Sequence, residues 1–222
     1  LCEDIAMQGI HAVIAIDRAG IVPGDGITHQ GVYDVSLLSS IPGVTLYAPE
    51  TYEELKTCLD RCISGEGLCA LRYPKGEEAD YDRTQFLPAG ADIAATDGSR
   101  KADAVILTYG RLTRHAALAA AQLTDQYKVR IVKLLRVLPL ELEQIASLCR
   151  DVSLVYVLEE GVRSGGVGEA VAAYFARQEG MPAVHIRCVE RFLPHGDLES
   201  LFRLCGFMPE QVAEEMANLL AP

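Results

Sequence analysis

The residue types best suited to chemistry lie together in one loop. Residues 16–34 read IDRAGIVPGDGITHQGVYD: Arg18 follows an apolar segment directly, Asp25 stands between two glycines, and His29 comes four positions later. An arginine guanidinium matches the geometry of phosphate or carboxylate, and an imidazole can transfer protons near neutral pH. These residue types indicate a site for an anionic substrate.

The same residues also have a purely structural interpretation. Asp25 can cap a turn, and His29 can pack on a neighbouring element. Arg18 can pair with Asp17 or Asp34. Turn-forming Asp and Gly need no substrate to explain them, so composition alone leaves both interpretations open.

A second arginine, Arg72, lies near the end of the apolar segment LCALRYP, which stops at Pro74. If that segment and the one before Arg18 are strands of one parallel sheet, their carboxyl ends meet at the same edge. Two arginines converging on one cleft could then hold a phosphate dianion. The alternative for Arg72 is a surface ion pair, which contributes little energy. Tyr73 is a weaker candidate for the wall of the cleft, with core packing as its alternative.

The elements that position these residues follow from the hydrophobic pattern. Short β-rich apolar segments alternate with amphipathic ones, which predicts a parallel sheet. Thr51 is a candidate N-cap, with Glu54 completing a capping box. Strands are predicted at 12–17, 44–48 and 68–74, where Pro74 ends the last, and helices at 32–41 and 51–64.

Charged residues, glycine and turn formers dominate residues 76–101, where this pattern ends. A stretch of this length is unusual inside a compact domain, so it predicts a boundary, with a short strand near residues 91–94. We expect a first domain at 1–82, a linker at 83–101 and a second domain at 102–222.

The second domain is predicted to be a self-contained α/β unit. Pro139 is assigned to the first turn of a helix, and SGGVGEA (164–170) opens another without the full dinucleotide spacing, which favours close helix packing over a cofactor site. Strands are predicted at 102–110, 129–135, 153–160 and 183–189, and helices at 111–126, 139–149, 165–177, from Asp197 to Gly206, and from Pro209.

Composition limits the classes of function. A net charge of -11 argues against a nucleic-acid surface, so any bound anion must be held by a local cluster. No apolar segment is long enough to span a membrane, and the amino terminus lacks the pattern of a signal peptide. We expect a soluble, cytoplasmic protein.

The seven cysteines include no C-x-x-C motif, which argues against a zinc site or a disulfide framework and favours a reducing compartment. Cys58 and Cys62 lie one helical turn apart and could share a metal. They fall on the same stripe as Leu55 and Leu59, however, which favours core packing.

With these residues in view, the chain resembles the 1-deoxy-D-xylulose-5-phosphate synthases, thiamine-diphosphate enzymes of the transketolase superfamily. DRAG together with DG-x-THQG is the specific part. Pro23 departs from the glycine more usual there. The similarity covers nearly the whole chain through DRAGIVPGDGITHQGVYD, IPGVTLYAPE, ALRYPKG, RVLPLE, VYVLEEGVRSGGVGEAV and RFLPHG.

The resemblance implies an α/β fold, with the second half of a pyrimidine-binding domain followed by a three-layer α/β/α transketolase carboxyl-terminal domain. It implies an enzyme that decarboxylates pyruvate on thiamine diphosphate with Mg2+ and joins the product to glyceraldehyde 3-phosphate, a step toward isoprenoid precursors, thiamine and pyridoxal. Arg18 and Arg72 would hold the acceptor phosphate. His29 and Asp25 would orient acceptor hydroxyls or move protons.

The resemblance also implies that part of this machinery lies outside the chain. The GDG motif at 24–26 lacks its asparagine partner, because the only asparagine is Asn218, and neither the activating glutamate nor the stacking aromatic residue is present. We therefore expect a carboxyl-terminal fragment, inactive alone and without bound cofactor or metal, of an enzyme that forms a homodimer. The alternatives are the carboxyl-terminal subunit of a split transketolase-like enzyme and a noncatalytic dimerisation or binding module. The second domain is expected to give dimer contacts and support, with His195 structural.

Overall fold

The computed structural model of the protein describes residues 1–96 and 101–221. Strands and helices alternate along most of this length, which confirms the predicted α/β class. The described strands are β1 (Ala12–Ile16), β2 (Thr45–Tyr47), β3 (Leu68–Arg72), β4 (Phe86–Pro88), β5 (Ile93–Thr96), β6 (Ala104–Tyr109), β7 (Val129–Leu134), β8 (Arg136–Leu138), β9 (Leu154–Val162) and β10 (Ala183–Val189). The described α-helices are α1 (Asp34–Ser39), α2 (Tyr52–Ser64), α3 (Leu112–Leu123), α4 (Leu142–Cys149), α5 (Val167–Phe175), α6 (Leu198–Cys205) and α7 (Pro209–Leu220).

The first sheet has the strand order β1-β3-β2-β8. Its first three strands are parallel, and Ile16 at the end of β1 is in register with Arg72 at the end of β3. The fourth strand, β8, comes from the second half of the chain and pairs antiparallel with β2. The sheet that positions the candidate residues is thus completed by a segment far along the sequence.

The second sheet has the order β10-β9-β6-β7-β5-β4, with four parallel strands followed by two antiparallel ones. Its central strands are buried on both faces, as expected for a parallel sheet covered by helices. On one face, residues such as Ile106 and Tyr156 pack with α3, α6 and α7. On the other, Val105 and Val157 pack with α4 and α5.

The two halves of the chain share a core. Val35, Leu46 and Ala70 of the first half belong to the same buried cluster as Val105 and Val157 of the second. Burial of this apolar surface holds the first sheet against the second domain, so residues at the junction have fixed neighbours.

Two details of the second half differ from the sequence prediction. The predicted linker, 83–101, contains β5, which corresponds to the short strand expected near residues 91–94, and β4, which was not predicted; both extend the second sheet. Pro139 does not lie in the first turn of α4, because the helix begins at Leu142 and Pro139 follows a cis peptide bond after β8. Strand β8 pairs with β2, which is distant in sequence, and a local pattern does not reveal such pairing.

The predicted helix ends are confirmed where side chains cap them. The Thr51 hydroxyl accepts a hydrogen bond from the Glu54 amide at 3.1 Å, but the Glu54 carboxylate accepts from the amide of Glu50 rather than from that of Thr51. Asp197 caps α6, and Gly206 ends it in the left-handed conformation with φ +74°. These local signals are strong enough to fix both helices.

The cysteine pattern is resolved in favour of packing. Cys58 and Cys62 are fully buried in a cluster with Tyr47 and Leu71, against which Tyr73 also packs. Burial raises the pKa of the Cys58 thiol to about 12. None of the helices in the described ranges has the length and apolar character that crossing a membrane requires.

Candidate functional site

The loop after β1 is closed at its base by paired backbone. Gly20 and Gly31 exchange two hydrogen bonds of 2.7 and 2.8 Å, and the amide of Ala19 donates to the carbonyl of Tyr73. A Cβ on Gly31 would lie 2.5 Å from the Arg18 carbonyl oxygen, so this close approach requires glycine. The loop is therefore anchored to the end of β3 and does not hang free.

Arg18 leaves the end of β1 with φ +56°, an uncommon conformation for a residue other than glycine. Its guanidinium pairs with the Asp25 carboxylate at 2.8 Å. The side chains remain 48% and 31% exposed, respectively. The sequence suggested Asp17 or Asp34 as the ion-pair partner of Arg18. The partner in the structure is Asp25, which is itself a candidate site residue.

His29 lies on the same loop, in a short 3-10 turn at Ile27–His29. It is exposed, and its Nδ1 lies 2.8 Å from the Thr28 hydroxyl. The ring thus stands at the surface of the loop, where a substrate could reach its other nitrogen.

Arg72 occupies a different environment. It is 5% exposed, its guanidinium carbon lies 5.3 Å from the centre of the Tyr109 ring, and its Nε lies 3.5 Å from Asp34 Oδ2. It also donates to the backbone carbonyls of Gly31 at 3.5 Å and Glu160 at 3.3 Å. All of these hydrogen bonds are long, so the guanidinium is enclosed but weakly held.

The two arginines share an edge of the sheet without sharing a contact in the described structure. Strands β1 and β3 are parallel neighbours, so Arg18 and Arg72 leave the same edge. The side chain of Arg18 turns outward to Asp25, and that of Arg72 turns inward to Asp34. A single phosphate could reach both only if the Arg72 side chain turned toward the loop.

Gln30 supports the loop from inside, and the sequence analysis did not single it out. Its carbonyl oxygen accepts from the Val22 amide at 2.8 Å, and its amide nitrogen donates to the carbonyls of Val22 and Gly26. An amide side chain can satisfy both a donor and an acceptor of one backbone segment. Its position directly after His29 was the only available signal.

A buried ion pair of the second domain holds the start of the loop. Glu160, at the carboxyl end of β9 and 4% exposed, accepts from the Ile21 amide at 2.6 Å and pairs with Arg111 through both carboxylate oxygens. Arg111 in turn donates to the Ile21 carbonyl at 2.6 Å. The backbone of one loop residue is therefore held on both sides by side chains more than 85 positions away.

The second domain also contacts the turn around Asp25. The amide of Gly24 donates to the carbonyl of Gly196 at 3.1 Å, and His195 Nδ1 lies 3.1 Å from the Gly24 carbonyl oxygen. A Cβ on Gly26 would lie 2.6 Å from His195 Nε2. The histidine expected to be structural thus packs directly on the candidate site.

Two carboxyl groups have raised pKa values, that of the buried Glu159 and that of the partly buried Asp34. Burial raises the pKa of Glu159 to about 7, although the amides of Val167 and Gly168 donate to its carboxylate. Burial also raises the pKa of Asp34, against the opposing effect of Arg72. The first amides of α5 are therefore occupied by Glu159, which supports the close-packing interpretation of the glycines in 164–170.

Comparisons with known proteins match both halves of the chain. Residues 1–79 match the family described as the transketolase pyrimidine binding domain, and residues 94–212 match the transketolase C-terminal domain. A 1-deoxy-D-xylulose-5-phosphate synthase from Carboxydothermus hydrogenoformans is 33% identical, with the alignment covering 100% of this chain and 36% of that protein. The synthase from Shouchella clausii is 34% identical, covering 98% and 35%. The chain thus spans about a third of the length of these relatives.

Solved structures share the fold. A protein described as a split-gene transketolase, an inactive β4 tetramer, superposes with a TM-score of 0.81 at 22% identity, over 99% of this chain and 70% of that one. A transketolase from Campylobacter jejuni gives 0.74 at 16% identity, over 96% of this chain and 32% of that one. At these identities the likeness concerns the fold alone.

Proposed function

Because this chain belongs to the transketolase family, whose C-terminal domain accounts for residues 94–212, we propose that it carries the acceptor-binding side of a 1-deoxy-D-xylulose-5-phosphate synthase site. Relatives with that name match along its whole length. They are about three times as long, so the reaction of the whole enzyme, pyruvate with glyceraldehyde 3-phosphate, is part of the proposal.

The observation that carries the proposal is the Arg18 guanidinium. Arg18 lies just after the end of a strand, and its side chain is 48% exposed. It pairs with Asp25, and ion pairs at an exposed surface contribute little energy. A phosphate dianion carries more charge than a carboxylate and also accepts two parallel hydrogen bonds from arginine. It can therefore replace Asp25 on Arg18, which leaves the Asp25 carboxylate free beside the acceptor hydroxyls.

Arg72 is proposed as the second phosphate ligand. The contacts it would give up are hydrogen bonds of 3.3 to 3.5 Å, near the limit of effective length. The Arg72 side chain reaches the substrate by turning away from Asp34. His29, exposed on the same loop, is proposed to transfer a proton to or from an acceptor oxygen.

Thiamine diphosphate supplies the electron sink in this family. In residues 1–96 and 101–221 no group of three or more side chains is arranged to hold a metal ion, and the motif at 24–26 has no asparagine partner nearby in sequence, since Asn218 is the only one. These residues do not fit a site for magnesium and diphosphate. The proposal requires a second region to supply that site, in a longer chain or in a partner subunit, and predicts no product from the described residues alone.

One observation favours a second candidate function. The split-gene transketolase is matched over 70% of its length, whereas the Campylobacter jejuni transketolase is matched over 32%. The second candidate is the carboxyl-terminal subunit of a split transketolase-like enzyme that acts on a different donor. Once the cofactor-binding partner is present, product formed from pyruvate supports the synthase, and product formed only from a ketose phosphate supports the split transketolase.

The acceptor site is tested by titrating glyceraldehyde 3-phosphate into the native chain and into Arg18→Ala. Loss of a charge-assisted contact predicts roughly 10- to 100-fold weaker binding. Arg203→Ala, which removes an exposed arginine paired with Glu199 and Glu210, is the matched control and should bind as the native chain does. Equal binding by native chain and Arg18→Ala would contradict the acceptor site and favour a noncatalytic module.

A further inference from the structure

The turn that carries Asp25 is held from outside the loop. The amide of Gly24 donates to Gly196 at 3.1 Å, and the carbonyl of Gly24 lies 3.1 Å from His195 Nδ1. A carbonyl oxygen only accepts, so Nδ1 carries the proton in this contact. Both backbone groups of Gly24 are thus fixed by the second domain.

The same imidazole ring also packs against the other side of the turn. Gly26 is buried with φ +70°, and a Cβ there would lie 2.6 Å from His195 Nε2 and 2.9 Å from Cε1. The ring therefore touches the glycines on both sides of Asp25. The imidazole supplies a donor toward Gly24 and a flat face toward Gly26, whereas an asparagine amide would supply the donor alone.

The Arg18 and Asp25 side chains cannot supply this order themselves. The two side chains are 48% and 31% exposed. The attraction within an exposed ion pair is largely cancelled by the entropy lost when two side chains are ordered. Gln30 holds the Gly26 carbonyl from inside the loop at 3.0 Å, but it leaves Gly24 untouched. The contacts that reach Gly24, next to Asp25, come from the exposed ring of His195 and from the Gly196 carbonyl beside it in the sequence.

We propose that His195 is a positioning residue for the acceptor site: it fixes the turn at 24–26 and thereby sets Asp25 against Arg18. This inference rests on the proposed function, because it assigns a role at the same loop. Glu160 and Arg111 hold the start of the loop at Ile21, and His195 holds its tip at Gly24. In this inference the second domain therefore helps to position the substrate-binding residues.

The test uses the whole chain with His195→Ala and His195→Asn. The asparagine amide can place a donor where imidazole Nδ1 stands, whereas alanine cannot. His11→Ala is the matched control, because His11 Nδ1 also lies 3.1 Å from a glycine carbonyl, that of Gly67, at an exposed site away from the loop. Hydrogen exchange of the Gly24 amide, read by NMR, reports the turn directly, and thermal unfolding of each variant checks that the fold is intact.

Loss of one hydrogen bond predicts roughly 3- to 10-fold faster exchange at Gly24 in His195→Ala. Exchange in His195→Asn should stay within about twofold of native, and His11→Ala should leave it unchanged. The affinity for glyceraldehyde 3-phosphate should fall several-fold in His195→Ala and recover in His195→Asn.

Unchanged exchange in His195→Ala would overturn the inference, and so would equal acceleration by alanine and asparagine, because the ring would then act by bulk alone. The exchange measurement needs no ligand. A native chain that binds no glyceraldehyde 3-phosphate would therefore refute the proposed function, while exchange at Gly24 would still decide whether His195 holds the turn.

Discussion

The second domain leaves no room for a side chain at Gly20 of the loop but does leave room at Gly24. The same substitution, glycine to alanine, should therefore lower the free energy of unfolding by different amounts at these two positions. Gly20 and Gly24 have nearly the same positive φ, +79° and +81°. A Cβ on Gly20 would lie 2.6 Å from Glu160 Oε2, whereas a Cβ on Gly24 meets no heavy atom within 4 Å. Alanine therefore meets the strain of a positive φ at both positions, but it collides with a neighbouring side chain only at position 20.

The strain of the left-handed conformation costs about 1 kcal/mol and is partly offset by the lower entropy of the unfolded chain with alanine. Gly24→Ala should thus lower the free energy of unfolding by about 1 kcal/mol or less. Gly20→Ala must also push the Glu160 carboxylate away from the Ile21 amide and from Arg111. Disturbing a buried pair in this way costs roughly 2 to 4 kcal/mol more.

Urea unfolding of native, Gly20→Ala and Gly24→Ala chains gives both values on one scale. The expected difference between the two variants is about 2 kcal/mol or more, with Gly20→Ala the less stable. If the two variants differed by less than about 0.5 kcal/mol, Glu160 would not be packed against Gly20, and the contact between the loop and the second domain would be wrong.

Three further outcomes follow from the buried charges and thiols. Glu159 keeps its proton up to about pH 7 in the native state and releases it near pH 4.5 in the unfolded chain. Between these pH values the native state binds more protons than the unfolded chain. The free energy of unfolding therefore falls as pH rises through this interval, by about 3 kcal/mol in total. Glu159→Gln should lack this fall, and parallel urea-unfolding profiles from pH 4.5 to 8 would refute the assignment. Lys133→Met removes the ammonium that pairs with Glu50 and Glu54 but leaves the buried Glu50 carboxylate the Tyr81 hydroxyl at 2.8 Å and Arg83 at 3.8 Å, so it should cost about 2 kcal/mol in urea unfolding; a loss below about 0.5 kcal/mol would show that the pair is open to water. A thiol reagent should titrate one cysteine rapidly in the native chain, the exposed Cys2, and all seven after denaturation; several fast thiols in the native chain would contradict the buried positions.

Much of the fold follows from local sequence signals. The strand before Arg18 and the one ending at Arg72 are short apolar segments bounded by turns, and both are observed. Thr51 and Asp197 begin helices as N-caps, and Gly206 ends one. In each case the residues that decide the structure are neighbours in the chain, so the pattern contains the information.

The missed strand β8 depends on a partner far along the chain, whereas β4 pairs with the nearby β5. Strand β8 has three residues and exists because it pairs with β2, about ninety positions earlier. Strand β4 is equally short and lies at the edge of the second sheet. Three residues carry too little periodicity to distinguish a strand from a loop, so β4 was not predicted, whereas β5 (Ile93–Thr96) corresponds to the short strand expected near residues 91–94.

The same division applies to the candidate site. The loop residues Arg18, Asp25 and His29 are apparent from their types and spacing. The contact between Glu160 and the Ile21 amide joins positions 139 apart, which no local pattern reveals. One signal was present: two glutamates end the buried apolar segment of β9, and buried carboxylates require partners.

The central claim is that the Arg18 guanidinium recognises a phosphate group on the substrate. The most direct test compares the affinities of glyceraldehyde 3-phosphate and D-glyceraldehyde for the native chain and for Arg18→Ala. We expect the native chain to prefer the phosphorylated compound by roughly tenfold or more, and Arg18→Ala to lose most of that preference. Equal affinities for the two compounds in the native chain would contradict the claim.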